Sequence, residues 1–450
     1  MDLSAARDYA REAMPRLLED HATLVGHPSV AFPGYPREPM DAIAQDLLEM
    51  FRRNGVADVE LLDIPGGYPA IHAVVPGPEG SPTVTMYAHY DVQPCPSSQQ
   101  WHSDPWVATR KDDGRIYGRG TADCKAGVIA ILGTMGAFDG TPPCTVRLLL
   151  EGEEETFSHI EDWVAANPEM VRSDAFIICD SGPSKVGVPS ITSGLRGDVA
   201  FTVTLTTLDN AVHSGLFGGA APDALVGMIQ LLSTMHDQDG NTVIEGLHSF
   251  EWEGADVDEA EFAASAGVKD GVGLQGTGPL ASRLWSRPSA TVIGLDMVPV
   301  DQCSNALVPS VRARISVRIA PGADMAQELE TVMEHLRRHA PYGATLEFSD
   351  DKAGSPFLGD TSGPITATAL AALEEVYGST PAQVGSGGSI PLVTELLHAS
   401  PGAEAILWGP EDEEKAKIHG PDESVDPAEI ERIMLAQIRF LTELGARSSG

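Results

Sequence analysis

Apolar positions recur along this chain in two rhythms. At helical spacing, Ile43, Leu47, Leu48 and Phe51 share one face of a segment spanning 39–54, and Gly55 stands where a C-terminal cap belongs. Helices are also expected over 3–25, 126–138, 222–235 and 325–339. Short apolar runs of strand length occupy 59–62, 70–75, 84–88, 146–150, 175–179 and 405–408. Turn clusters such as Pro65-Gly66-Gly67 and Pro76-Gly77-Pro78 punctuate the early ones. Buried strands alternating with helices describe an α/β domain, with a mixed central sheet flanked by helices.

From about Gly194 the pattern changes. Residues 199–205 alternate like a half-exposed strand, and 222–235 are helical. The runs 291–298 and 310–319 read as strands, the latter with Val311, Ala313, Ile315 and Val317 on one face. A helix over 325–339 and a strand over 344–348 follow. Strand–helix–strand–strand–helix–strand is an α+β, ferredoxin-like pattern. An acidic segment at 237–285, rich in Gly, Asp and Glu, interrupts it, and its role is not legible. After Pro364 the helix–strand–helix rhythm of the first part returns. The expected division is therefore 1–193 and 356–450 as one domain, with 194–355 inserted into it.

Chemistry gathers where the apolar runs stop. The 84–88 run ends at His89, with Asp91 two positions on. Open α/β sheets bind ligands beyond the carboxyl ends of their strands, so His89 is placed to hold a metal and Asp91 to orient its other ring nitrogen. The 146–150 run meets Glu151-Gly152-Glu153-Glu154-Glu155, four carboxylates whose mutual repulsion a divalent cation would relieve. Asp180 directly follows the 175–179 run, and the 405–408 run precedes a loop carrying His419. Asp123 closes the glycine-rich turn from Ile116 and has two readings, an N-cap of the next helix or a further ligand. Neither GxGxxG nor GxxxxGK is present, which weakens a phosphate-binding reading of that turn. His, Asp, Glu, Asp and His near one sheet edge suit a pair of divalent transition ions sharing a carboxylate.

Composition narrows the partners. With 450 residues, two or more domains are expected. Sixty-five acidic residues against 29 basic ones give a formal charge of −36, so nucleic acid and anionic membrane surfaces are poor partners. No run is long and apolar enough to cross a bilayer, and residues 1–20 lack the apolar centre of an export signal. Cys95, Cys124, Cys144, Cys179 and Cys303 are scattered, odd in number and without a CxxC, which points to reduced thiols in a cytoplasm.

At these residues the chain resembles the M20 family of metallopeptidases, and most closely its dipeptidase branch, which includes carnosine dipeptidases and has carboxypeptidase G2 as a relative. The matching stretches are Ala88-His89-Tyr90-Asp91-Val92-Gln93-Pro94, Tyr117-Gly118-Arg119-Gly120-Thr121-Ala122-Asp123, Glu151-Gly152-Glu153-Glu154-Glu155, Cys179-Asp180-Ser181, Val212-His213-Ser214-Gly215, Gly387-Gly388-Ser389-Ile390-Pro391 and Ile418-His419-Gly420. They occur in family order over nearly the whole length. The chain departs from the family pattern at Thr156-Phe157-Ser158, at Cys124 where Asp or Asn is common, and at Asp422, where Asn frequently precedes Glu.

The resemblance implies a strand-end dinuclear site and an inserted lid that also forms a homodimer; two histidines among mostly carboxylate ligands suit zinc first, with manganese or cobalt as alternatives. His89 and Asp180 would hold one ion, Glu155 and His419 the other, and Asp123 both. Asp91 would orient His89, and Glu154 would be the general base. His213 would reach the partner subunit's site and bind the developing oxyanion, the plainer reading being a loop histidine. Arg318, with Gly388 and Ser389, would hold a substrate carboxylate. Arg312 and Arg314 leave the choice of arginine open, and Gly388–Ser389 also reads as a plain turn. The expected activity is cleavage of dipeptides or short peptides with a free C-terminus. Rival readings are removal of an N-acyl or N-carbamoyl group from amino acids by the same machinery, a non-catalytic relative, and a metal-dependent phosphoesterase.

Overall fold

The computed structural model describes residues 1–156 and 158–447, so Phe157 of the departing segment lies outside the described residues. The chain forms two compact units. The first comprises residues 1–193, 359–384 and 392–450, and the second residues 194–358 and 385–391.

The first unit is built on a mixed sheet. Strands Thr145–Glu151, Thr83–His89, Ala175–Ile178 and Glu404–Leu407 lie side by side in that order, all parallel. The side chains of the first three are mostly buried, which is why they read as apolar runs, whereas Glu404–Leu407 buries only Ile406 and Leu407. Ala70–Val75 pairs antiparallel with Thr145–Glu151, and Glu60–Leu62 pairs with Ala70–Val75. On the other side Leu407 faces Thr192 of the antiparallel strand Ser190–Leu195.

Helices Leu3–Val25, Glu38–Arg53, Lys125–Phe138 and Pro427–Arg447 join the same core as the sheet, and Lys125–Phe138 is apolar on nearly all sides because it is enclosed. Gly127, in its first turn, is essential to the packing. A Cβ there would lie 2.1 Å from the carbonyl oxygen of Cys179, so only glycine lets the helix start rest against the end of the Ala175–Ile178 strand. A small antiparallel sheet of Thr109–Arg110, Ile116–Tyr117 and Ser424–Val425 ties the Asp123 loop to the loop carrying His419.

The second unit is an antiparallel sheet in the order Ser289–Leu295, Ser310–Ile319, Gly197–Thr206, Leu346–Gly354, with helices Ala224–Ser233 and Met325–Arg338. Val199, Phe201, Val203 and Leu205 meet Val311, Ala313, Ile315 and Val317 in its core. The strand expected over 291–298 runs instead from Ser289 to Leu295, with a register shift between Val292 and Gly294. Met297 and Val298, which extended the apolar run, lie exposed beyond its end. The acidic segment contributes helix Glu259–Ser265 and lines a cavity of about 680 Å³ beside Ser289–Val292.

Candidate metal centre

Four parallel strands end at one edge of the first unit, and polar residues from the loops that follow them meet there. His89, the last residue of its strand, is fully buried. Its Nε2 lies 2.9 Å from Oδ1 of Asp123 and 3.2 Å from Oδ1 of Asp180. His419 approaches from the far end of the chain, with Nε2 3.0 Å from Oδ2 of Asp123 and 3.1 Å from Oε2 of Glu155. Asp123 thus stands between the two imidazoles with one oxygen toward each. Its reading as a helix N-cap does not hold: the cap position of Lys125–Phe138 falls to Cys124, which makes no side-chain capping bond.

The carboxylates of the acidic run take separate places. Glu153 turns away to Nδ1 of His159 at 2.8 Å. Glu155 faces His419 and is held by Gln93, whose Nε2 donates to Oε2 at 2.6 Å. The Glu154 carboxylate makes no hydrogen bond to any described residue. Asp91 supports this arrangement from beneath. Its Oδ1 and Oδ2 accept the backbone amides of Glu154 and Glu155, each at 3.1 Å, and Oδ1 lies 3.3 Å from Nδ1 of His89.

The charges are strongly perturbed. Burial alone would lower the His89 imidazole, but Asp180, Cys124 and Asp123 raise it well above its ordinary value. Burial works the same way on His419, which bonds to Asp123 and Glu155 carry up to about 10. Asp123 is held below the usual carboxylate range by those two histidines, against the upward push of burial. Burial and the Asp180 charge drive Glu154 well above that range, and burial with Asp123 takes Glu155 to about 7. Such a cluster binds positive charge. Two donor groups of metal-ligand spacing occur in it, His89–Cys124–Asp180 and Asp123–Glu155–His419, with nitrogen, oxygen and sulfur atoms that suit transition ions. Sequence reasoning missed Glu423 and Arg119, which form a buried pair at 2.6 Å behind the Asp123 loop.

The family model for "Peptidase family M20/M25/M40" matches residues 85–443. The chain belongs to this peptidase family. It is 38% identical over 373 residues to a Cysteinylglycine-S-conjugate dipeptidase of Corynebacterium striatum, covering 81% of this chain and 82% of that one. A Beta-Ala-His dipeptidase of Rattus norvegicus is 26% identical, with 79% of each chain covered. In fold the chain is similar to human carnosine dipeptidase 1, with a TM-score of 0.81 at 21% identity over 99% of both chains.

The remaining expected residues lie in the second unit. His213 is exposed, and its Nδ1 accepts the Gly215 amide at 3.0 Å. Arg318 is about one-third exposed, with Nε 3.9 Å from Oδ1 of Asp198. Gly388 donates its amide to Oγ of Ser386 at 3.1 Å, and Ser389 belongs to the same 385–391 segment. Arg196, unnoticed in the sequence, joins this group: its backbone amide donates to the Ser386 carbonyl at 3.2 Å. Burial, and Arg318 beside it, lower its guanidinium to about 10.

Proposed function

We propose that this M20 peptidase is a dinuclear metal-dependent dipeptidase acting on dipeptides or short peptides with a free C-terminal carboxylate. The observation that carries the proposal is Asp123 between His89 and His419, at 2.9 and 3.0 Å, with Asp180 and Glu155 on the outer sides. The dipeptidase names of its relatives support the substrate class.

His89 and Asp180 would hold one divalent ion, Glu155 and His419 the other, and Asp123 would contribute a carboxylate oxygen to each. Zinc is the preferred occupant, with manganese or cobalt as substitutes. Two such ions, when bound, would supply Lewis acidity to a water and to the scissile carbonyl. Glu154, which makes no hydrogen bond to another described side chain, takes the proton from the attacking water and delivers it to the departing amine. Asp91 fixes the His89 ring and the backbone that carries Glu154.

The second unit is the lid, a ferredoxin-like domain through which two copies pair. Support comes from exposed apolar side chains on its edge strand, Val292, Ile293 and Leu295, and on helix Ala224–Ser233, Val226 and Ile229. His213 of one copy serves the partner's site as a donor to the oxyanion. Arg318, Gly388 and Ser389 receive the substrate carboxylate, and the adjacent Arg196 adds to the positive field. Five unpaired cysteines support a cytoplasmic location.

The test is metal content together with hydrolysis of a panel of dipeptides and N-acyl amino acids, as isolated, after chelation and after zinc or manganese is restored. About two ions per chain and metal-restored dipeptide cleavage are expected. Cleavage of acyl amino acids alone would transfer the chain to the amidohydrolase reading. Neither ions nor cleavage would remove the enzyme.

A further inference from the structure

Cys124 occupies the position after Asp123, and its side chain is fully buried at the metal centre. Its Sγ, a ring nitrogen of His89 and a carboxylate oxygen of Asp180 lie within 4.8 Å of one another. The thiol donates to the Cys179 carbonyl at 3.0 Å, one residue before Asp180. A second observation marks the same half of the cluster. Glu411 is 8% exposed, and its Oε1 has no hydrogen-bond partner among the described residues. The Glu411 backbone is held there by close approach to Gly182, where a Cβ would stand 2.0 Å from the Glu411 carbonyl oxygen. A buried carboxylate oxygen left without a partner is costly unless a cation faces it.

We propose that Cys124 Sγ is a ligand of the ion held by His89 and Asp180, making that half a mixed sulfur, nitrogen and oxygen site. The inference rests on the dinuclear reading above. Coordination releases the thiol proton to solvent and breaks its bond to the Cys179 carbonyl, and the metal–sulfur bond takes its place. The two halves then differ in kind. The His89–Cys124–Asp180 half is closed and soft, and favours zinc, cobalt or cadmium over manganese. The Asp123–Glu155–His419 half offers only oxygen and imidazole, and the His419 side chain is 52% exposed. One ion is therefore retained firmly, and the other exchanges.

The test loads the apo-protein with cobalt(II) and reads its absorption spectrum alongside bound cobalt. Wild type is expected to show a sulfur-to-cobalt charge-transfer band that saturates at the first of two equivalents. Cys124→Ser should bind cobalt without that band, and Glu411→Gln should keep the band but hold the first cobalt less tightly. Should Cys124→Ser fail to fold, zinc X-ray absorption of the wild type decides, with a zinc–sulfur shell near ~2.3 Å expected. Two cobalt ions without a sulfur band, or a band that survives in Cys124→Ser, would overturn the sulfur ligand and leave the dinuclear site standing. No cobalt uptake at all would overturn both.

Discussion

Glu423 holds Asp123 by the backbone, its Oε1 accepting the Asp123 amide at 3.1 Å. The same carboxylate accepts the amides of Ala122 and Gly120, each at 3.0 Å, and the Arg119 guanidinium at 2.6 Å. Arg119 in turn donates Nη2 to the carbonyl of His419 at 3.2 Å, where the backbone takes a left-handed φ of 61°. One buried ion pair thus fixes two of the residues assigned to the metals. Glu423→Ala would strand Arg119 in the interior, at a cost of about 3–5 kcal/mol. Thermal melts should show a marked fall in Tm, and elemental analysis a loss of bound metal, with Glu423→Gln milder on both. A Glu423→Ala protein that keeps its ions and its Tm would refute the holding role.

Asp91 touches the reaction only through others. Asp91→Asn would turn an amide N–H₂ toward one of the two backbone donors its carboxylate now satisfies. Metal affinity or kcat should drop roughly 10–100-fold while the fold is kept. Isothermal titration with zinc and steady-state kinetics on one preparation would measure both.

Glu154→Gln separates chemistry from binding. Its carboxylate has no hydrogen bond to a described residue to lose, so stability and metal content should stay at wild-type values. Turnover should fall by roughly 10²–10⁴. A variant that turns over normally would end the general-base assignment.

Acid sensitivity has a source outside the proposed ligands, behind the loop that carries Asp123. His21 is fully buried with Nε2 2.9 Å from the Thr121 carbonyl, and burial lowers its imidazole to about 4. The unfolded chain, titrating near the ordinary value of 6.5, binds this proton first as pH falls. Stability from His21 is thus complete above about pH 6.5 and declines down to about pH 4, by on the order of 3 kcal/mol. Denaturant melts of wild type and His21→Gln between these limits should show a shallower acid slope in the variant.

The sheet-edge residues were legible because parallel buried strands are uninterrupted apolar runs, and the first polar residue beyond each must lie at the sheet edge. His89, Asp180 and the 151–155 cluster follow from that alone, whereas His419, farther along the loop after the 405–408 run, is legible as a ligand only together with them and from the family resemblance. Asp123 was not decided by this rule, since a loop carboxylate before a helix caps as readily as it binds. Which glutamate of the cluster faces which partner is also a matter of side-chain direction, seen only when Glu153 meets His159 and Glu155 meets His419. Glu423 with Arg119, and Arg196 beside Arg318, were invisible. Their partners are set by packing between segments up to 304 residues apart, and a lone buried charge has no periodic signature. Turn and strand limits in the second unit moved where Gly294 shifts the register and lets apolar residues run on into solvent.

His419 stands 296 residues beyond Asp123, with the whole second unit synthesised between them. On the ribosome His89, Asp123, Glu155 and Asp180 emerge long before the imidazole that completes their set. Until it arrives, the nascent chain carries an acidic nest that lacks one basic member and its Arg119-locking carboxylate. Contacts between residues so far apart in sequence form slowly, so on the proposed ligand assignment metal incorporation would wait for the segment that carries His419, and a chain interrupted before it would keep the carboxylates without the completed site.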